Sequence, residues 1–338
     1  MASDKFEENA IFLCGHRKSG TTLLLSLLDS HTQLSVFPVD SGFFYKYYPI
    51  CETKKYSTLQ KTSTVIKEII GNFENELQKL SEQERREINI DLEKFKNDFL
   101  YLARKTNLAP KDVLVSLSVS YKKNFKNSPN QIMWVEKTSS TEIYAIDVFN
   151  WFPNAKFIHV IRDPRDNWAS LKSGWEKRYK KFNDSKSRLI QSLIDRGKLG
   201  MELARDNASI FGNNRYKIIK FEELVNKPEK TMKEICDFLG IKFEEIVLKP
   251  TICGKPWKGN NFDGIEFTSA SSINVGRWKE RISEDEAKLI EYYFADIMQF
   301  FGYTTEYDLL ERVNAAKEHY KWYNYAQSYS YSTTRQKK

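Results

Sequence analysis

The segment running from Ile11 to His31, IFLCGHRKSGTTLLLSLLDSH, does most to restrict what this chain can fold into. Four apolar residues, Ile11 to Cys14, read as a buried strand of a parallel sheet, and a leucine-rich helix starts at Thr21. Between them lies a turn of glycine, hydroxyl and cationic residues. Gly15 and Gly20 let backbone amides approach a ligand closely, and the first N–H groups of a helix have no intrahelical partner, so such a turn favours an anion. Lys18, Ser19, Thr21 and Thr22 add side-chain donors, and Arg17 adds a second cation. The spacing from Gly15 to Gly20 is that of a phosphate loop, G-x-x-x-x-G-K-[ST]. Thr21, however, stands where nucleotide kinases and ATPases carry the lysine that reaches the outer phosphates; here the cations precede the second glycine.

A second segment, KFIHVIRDPRDNWASLKSGW, repeats the strand-to-helix plan. Phe157 to Ile161 read as a strand, Arg162 stands at its end, and Asp163-Pro164 opens a helix with proline at a favoured first position. Ser170 comes two helical turns later, on the same side of the crossover as Arg162. A forked guanidinium and a hydroxyl together suit a phosphate monoester. The other use of Arg162 is a surface ion pair with Asp166.

These motifs resemble those of the sulfotransferase superfamily, closest in style to its glycan and tyrosylprotein types. Lys18-Ser19-Gly20-Thr21-Thr22 fits the family's [KR]-S-G-T-T loop, and Arg162 and Ser170 fit its R-[DN]-P-[RK]-D-x-x-x-S spacing. RYKIIKFEELVNKPEKTMKEICDFLGIKFEE resembles its strand, acidic turn, amphipathic helix and Phe-Leu-Gly stop. Helix logic supports this independently: Pro228 opens the run, Met232, Ile235, Cys236 and Leu239 keep three-four spacing, and Gly240 ends it. SSINVGRWKERISEDE resembles the carboxy-terminal loop that returns to the cofactor.

The resemblance implies an α/β, P-loop-like three-layer fold with a central, mostly parallel sheet flanked by helices and carrying a helical insertion. It implies transfer of a sulfuryl group from 3′-phosphoadenosine-5′-phosphosulfate (PAPS) to a hydroxyl or amine, leaving PAP, without a metal. The acceptor it implies is a small molecule or glycan, with a carbohydrate or glycolipid favoured. Carried onto this chain, Arg17, Lys18, Ser19, Gly20, Thr21 and Thr22 would hold the 5′ end of the cofactor, with Lys18 meeting charge on the leaving group. Arg162, Ser170 and Arg277 would hold the 3′-phosphate, although Arg277 equally reads as part of a basic loop before a helix capped by Ser283 and Glu286. Phe221 replaces a tyrosine, and Leu23 a stacking tryptophan, common near the adenine in relatives.

For the base that removes the acceptor's proton, the resemblance offers Asp40, in LDSHTQLSVFPVDSGFFYKYY, about one residue from the family's usual position and an aspartate in place of its usual glutamate. Its apolar and aromatic neighbours predict a pKa raised towards neutrality; its other use is a turn before Ser41-Gly42. His31, Glu136 and His159 remain alternatives, His31 also reading as a helix-end cap and His159 as a core histidine. Glu136-Lys137-Thr138, placed after a strand predicted over Ile132 to Val135, resembles an E-K-[ST] triplet whose lysine contacts the reacting groups. Lys137 is therefore the second catalytic candidate.

Composition sets the frame. With 41% hydrophobic and 14% aromatic residues, the 338-residue chain has enough for one core, predicting a single domain over 1–330 and a flexible tail at 331–338. The polar stretch from about 46 to 130 is too long for a loop; Ile66, Ile69, Ile70, Phe73 and Leu77 and a run from Leu92 to Leu102 predict an inserted helical, acceptor-side subdomain. A fourth short, apolar strand is expected over Lys217 to Phe221. Four unpatterned cysteines suit reduced thiols and a cytoplasmic setting, and they and the histidines show no metal-ligand spacing. A strand this near the start leaves no room for a signal peptide or anchor, and no apolar run is long enough for a bilayer. The net charge of +8 favours an anionic partner, which the nucleotide in part explains. A basic cluster from Lys172 through Lys177, Arg178, Lys180, Lys181 and Lys186 to Arg188 is either a solvated face or a rim for an acidic acceptor. Two other functions fit parts of this pattern, a magnesium-dependent phosphate-loop kinase and a non-enzymatic nucleic-acid-binding module; the favoured reading has no nucleic-acid partner. Oligomeric state is not readable.

Overall fold

The computed structural model describes residues 6–88, 91–125, 130–174, 186–260 and 264–321. Five strands, β1 (Ala10–Cys14), β2 (Leu34–Val36), β3 (Met133–Lys137), β4 (Lys156–Ile161) and β5 (Tyr216–Lys220), form one sheet in the order β2-β3-β1-β4-β5. Every pairing is parallel. Each residue of β1 is buried, as a central strand covered on both faces requires. The chain places β3 on one side of β1 and β4 on the other, so the carboxyl end of β1 lies at a topological switch point, where open α/β sheets bind ligands.

The four expected strands each start one residue from the expected position, and two also end differently. β3 runs on to Lys137, so Glu136 and Lys137 belong to the strand rather than following it; Phe12 faces Glu136 and Leu13 faces Lys137 in the parallel ladder. β5 stops at Lys220, and Phe221 opens the helix Phe221–Asn226. β2, only three residues long, escapes a periodicity reading altogether.

Between β2 and β3 the chain is mainly helical. One run comprises Thr58–Thr64, a wider π-type turn at Val65–Ile70, and Gly71–Leu77; Leu92–Lys105 and Pro110–Phe125 follow. Their apolar faces join the sheet in one cluster that includes Phe12, Phe37, Phe73, Phe95, Tyr121 and Trp134. Phe73 meets Phe37 at 5.3 Å and Phe95 at 5.8 Å between ring centres, edge-on or tilted as aromatic quadrupoles prefer.

The chain divides into two compact units. One comprises Met1–Ile161, Leu203–Gly259 and Glu266–Ser271 and contains the sheet; the other comprises Arg162–Glu202, Asn260–Ile265 and Ser272–Lys338. In the second, the helix Pro164–Ser173 is capped by Asp163, and Glu284–Phe300 begins with the capping box of Ser283 and Glu286. Ala169, Trp278 and Ala287 form a small core there. Among the described residues no helix is long and apolar enough to cross a membrane. The tail at 331–338 and the basic residues Lys177, Arg178, Lys180 and Lys181 lie outside the described residues.

Candidate active site

The helix α1 (Thr21–Leu28) starts at Gly20, whose φ of 109° is left-handed and which supplies no side-chain cap. Its first amides are therefore left for a ligand. Ser19 is buried, and its Oγ has no hydrogen-bond partner. Such a group asks for an acceptor or donor from outside the chain. Ser19 N–H donates to His16 O at 3.0 Å, and Lys18 is held at a φ of 67°, a conformation that lysine adopts only where its surroundings impose it. Lys18, Arg17 and Thr22 are half-buried, and Thr21 is buried. A phosphate group fits this cradle.

Both glycines are needed. A Cβ on Gly15 would lie 2.3 Å from Val160 O, and one on Gly20 would lie 2.4 Å from Phe221 Cδ2. The Phe221 ring thus packs on the last glycine of the loop. At its start the loop is latched from two directions: Gly15 N–H donates to Glu142 Oε2 at 3.2 Å, and Ser140 N–H donates to Gly15 O at 3.1 Å.

The same stretch that latches the loop also carries Lys137. Lys137 Nζ donates to Asp40 Oδ2 at 2.8 Å, with the lysine side chain 6% exposed and that of Asp40 40% exposed. Gly42 N–H and the Ser139 N–H and hydroxyl complete the donors on Asp40. Ser41 N–H donates to Lys137 O, and the half-buried Tyr45 donates its hydroxyl to Ser140 O at 2.6 Å. Lys18's loop, Asp40 and Lys137 are in this way tied together by backbone hydrogen bonds.

The expected rise of the Asp40 pKa is corrected. Burial pushes it up, but the Lys137 ammonium and the N–H donors outweigh burial and hold Asp40 below the usual carboxylate value. It is Glu136 that is raised, to about 7, because it is buried next to Asp40 despite hydrogen bonds from Ser41 at 2.5 Å and Thr138 at 2.6 Å to its Oε1.

The histidines are occupied elsewhere. His31 does not cap α1; its Nε2 bonds Lys242 O at 2.7 Å, and its Nδ1 accepts from Gln33 N–H at 3.1 Å. His159 is 1% exposed, bonds Tyr216 OH at 2.8 Å, and is pushed down to about 3 by burial, which keeps it neutral. Sequence spacing shows no metal set, yet ligand atoms of Cys14, Glu142 and His159 come within 4.8 Å of one another in the core. Hydrogen bonds fill that cluster: Tyr216 OH also contacts Cys14 Sγ at 3.9 Å and accepts from Asn207 at 3.4 Å.

The second unit collects the other cationic candidates. Arg162 Nη2 donates to the main-chain oxygen of Asn274 at 2.7 Å, and Arg277 Nη1 donates to the side-chain oxygen of the same residue at 3.3 Å. Arg162 is buried, whereas Arg277 and Ser170 are half-buried. Asp166 is no surface partner. It is 2% exposed and accepts Gly276 N–H at 2.7 Å and Trp278 N–H at 2.9 Å. Nearby, Arg165 bridges Asp163 at 2.6 Å and the buried Glu291 at 2.7 Å and lies over the Trp278 ring.

Asn274, Asp166, Ser139 and Glu142 were not singled out as site residues from the sequence. Each has a partner far away in the chain, which no local pattern reveals, even for Asp166, the second aspartate of the Arg162 motif.

Two solved structures resemble this fold. The sulfotransferase domain of the Synechococcus PCC 7002 olefin synthase is 17% identical, with a TM-score of 0.56 over 90% of this chain and 99% of that domain. The sulfotransferase domain of the curacin biosynthetic pathway is also 17% identical, with a TM-score of 0.58 over 88% of this chain and 98% of that domain. The model of the sulfotransferase family matches residues 10–245, a span that takes in the Lys18 loop, the Lys137 triplet and the Arg162 helix. The glycine loop and the cation ahead of its second glycine are thus set in a fold that these two structures share, and this chain belongs to the sulfotransferase family and is a sulfotransferase.

Proposed function

We propose that the protein moves a sulfuryl group from PAPS to a hydroxyl or amine of a small-molecule or glycan acceptor, with a carbohydrate or glycolipid the favoured class. The observation that supports this most is the uncapped start of α1 beside the unpartnered Ser19 hydroxyl, with Lys18 ahead of Gly20. In this reading Ser19, Thr21, Thr22 and the first-turn amides hold the 5′-phosphate, with Arg17 adding charge. Arg162, Ser170 and Arg277 take the 3′-phosphate, and Phe221 lies on the adenine side.

The cofactor supplies the activated sulfur–oxygen bond; the remaining work falls to protein groups. Asp40 takes the proton from the acceptor oxygen as that oxygen bonds to sulfur. A carboxylate kept ionised by Lys137 is ready to do so, and the acceptor O–H becomes more acidic as the new bond forms. Lys137 stands beside the reacting oxygens. Lys18 meets the negative charge that appears on the phosphate oxygen as the old sulfur–oxygen bond breaks, a contact strongest in the transition state. Loose, in-line transfer needs positioning and charge stabilisation above all, which is what these groups provide.

Lys18→Ala is the test. It should lower kcat by about 100-fold or more while changing PAP affinity only a few-fold, since the lost contact belongs to the transition state. Equal losses in turnover and PAP binding, measured by titration calorimetry, would remove the role assigned to Lys18.

A further inference from the structure

Arg277 is flanked on both sides by amides that serve one carboxylate. Asp166 Oδ2 accepts Gly276 N–H at 2.7 Å, and Asp166 Oδ1 accepts Trp278 N–H at 2.9 Å. The backbone of Arg277 itself is fixed at φ −68° and ψ −10°, between Gly276 in the left-handed region at 75° and the short helix Trp278–Arg281. Trp278 is buried between Ala169 and Ala287, under the Arg165 guanidinium at 4.3 Å from the ring centre. The main chain on either side of Arg277 is therefore anchored to the helix Pro164–Ser173.

The consequence shows in the side chains. Arg162, four residues before Asp166, and Arg277 both reach Asn274, one at its main-chain oxygen and the other at its side-chain oxygen. Two guanidinium forks thus converge on one residue whose oxygens they share. Phosphate offers three acceptor oxygens with a full charge, so it outcompetes a neutral amide for such donors.

We infer that Asp166 is a positioning residue that, by gripping the amides before and after Arg277, holds the Arg277 guanidinium next to that of Arg162, so that one phosphate is met by both. This rests on the proposed reading of Arg162 and Arg277 as the 3′-phosphate site. Asp166 does not touch the nucleotide; it acts through Arg277.

The experiment compares adenosine 3′,5′-bisphosphate with adenosine 5′-phosphate by titration calorimetry on the full chain. Asp166→Asn keeps the size of the side chain but replaces one acceptor oxygen by an amide donor facing another N–H. It should weaken the bisphosphate by about 10-fold or more, in line with a lost charge-assisted contact, and leave the monophosphate within about 2-fold. In an Arg277→Ala background the same change should cost nothing further. A loss of monophosphate binding equal to that of the bisphosphate overturns the inference, as does a full additional loss in the Arg277→Ala background. Should Asp166→Asn not fold, Asp166→Glu retains the charge with one more methylene, and it should show the same selective loss to a smaller degree; an unselective loss overturns the inference. Arg162→Ala separates the two levels. If it weakens both nucleotides alike, the 3′-phosphate reading fails; if it is selective while Asp166→Asn is not, only the positioning role fails.

Discussion

Glu136 shows how far a residue's neighbours can carry it from its ordinary chemistry. Buried next to Asp40, with one oxygen bonded by Ser41 and Thr138 and the other without a partner, its carboxyl is raised to about 7. The folded chain keeps this proton where the unfolded chain releases it, so the unfolded state binds fewer protons and stability falls as pH rises from about 4.5 to about 7. At about 1.4 kcal/mol per pKa unit, that slope amounts to about 3 kcal/mol. Glu136→Gln cannot ionise. The difference in unfolding free energy between pH 5 and pH 8, from urea melts, should shrink by most of that amount in this variant; an unchanged difference would show that Glu136 is ionised in the fold. At this scale Lys18, Arg162 and Lys137 are legible in the sequence as candidates, because each sits in a motif whose spacing carries its meaning. The sequence misled on Asp40. Aromatic neighbours in the chain suggested a raised pKa, whereas the deciding neighbour, Lys137, is 97 residues away in the chain.

Among the elements, ends were read better than contacts. Asp163 before Pro164, the stop at Gly240 and the box of Ser283 with Glu286 all appear as their local spacing predicts, since a cap is a contract between residues two or three apart. Ser283 Oγ accepts Glu286 N–H at 3.2 Å, and Glu286 Oε2 accepts Ser283 N–H at 2.8 Å while also pairing with Lys172 at 2.6 Å. Ser283→Ala should therefore cost about 1 kcal/mol, read as a lower midpoint in chemical denaturation with an unchanged slope. A change in slope instead would mean that more than one cap had been lost. The clamp of Asp166 on Gly276 and Trp278 could not be read in this way: its partners are 110 and 112 residues distant, and the motif that includes Asp166 does not say what it holds.

For the whole molecule, the four apolar runs read as strands all appear in the parallel sheet, whereas the three-residue β2 and the antiparallel pair Thr251–Ile252 with Lys255–Pro256 escape such a reading. Their brevity is the reason. The choice between a sulfotransferase and a phosphate-loop kinase turned on Thr21 after Gly20, and the family match agrees with that sign. Binding to the native state alone raises stability by about 2.7 kcal/mol at a hundredfold excess over Kd. Thermal melts should thus shift upwards with adenosine 3′,5′-bisphosphate and stay nearly unmoved with ATP and magnesium; the reverse order would point back to a kinase.

The pairing of Leu13 with Lys137 has an evolutionary corollary. Parallel ladders act as a ruler: a slip of one residue would turn Lys137 to the opposite sheet face, so on the proposed reading the interval between the loop that holds the donor and Lys137 is set by hydrogen-bond register rather than by side-chain fit. The helices over 46–130 enter and leave through strands locked to that ruler. If they serve the acceptor, as the proposed reading has it, they can be rebuilt for a new one while the distance over which the group travels stays the same.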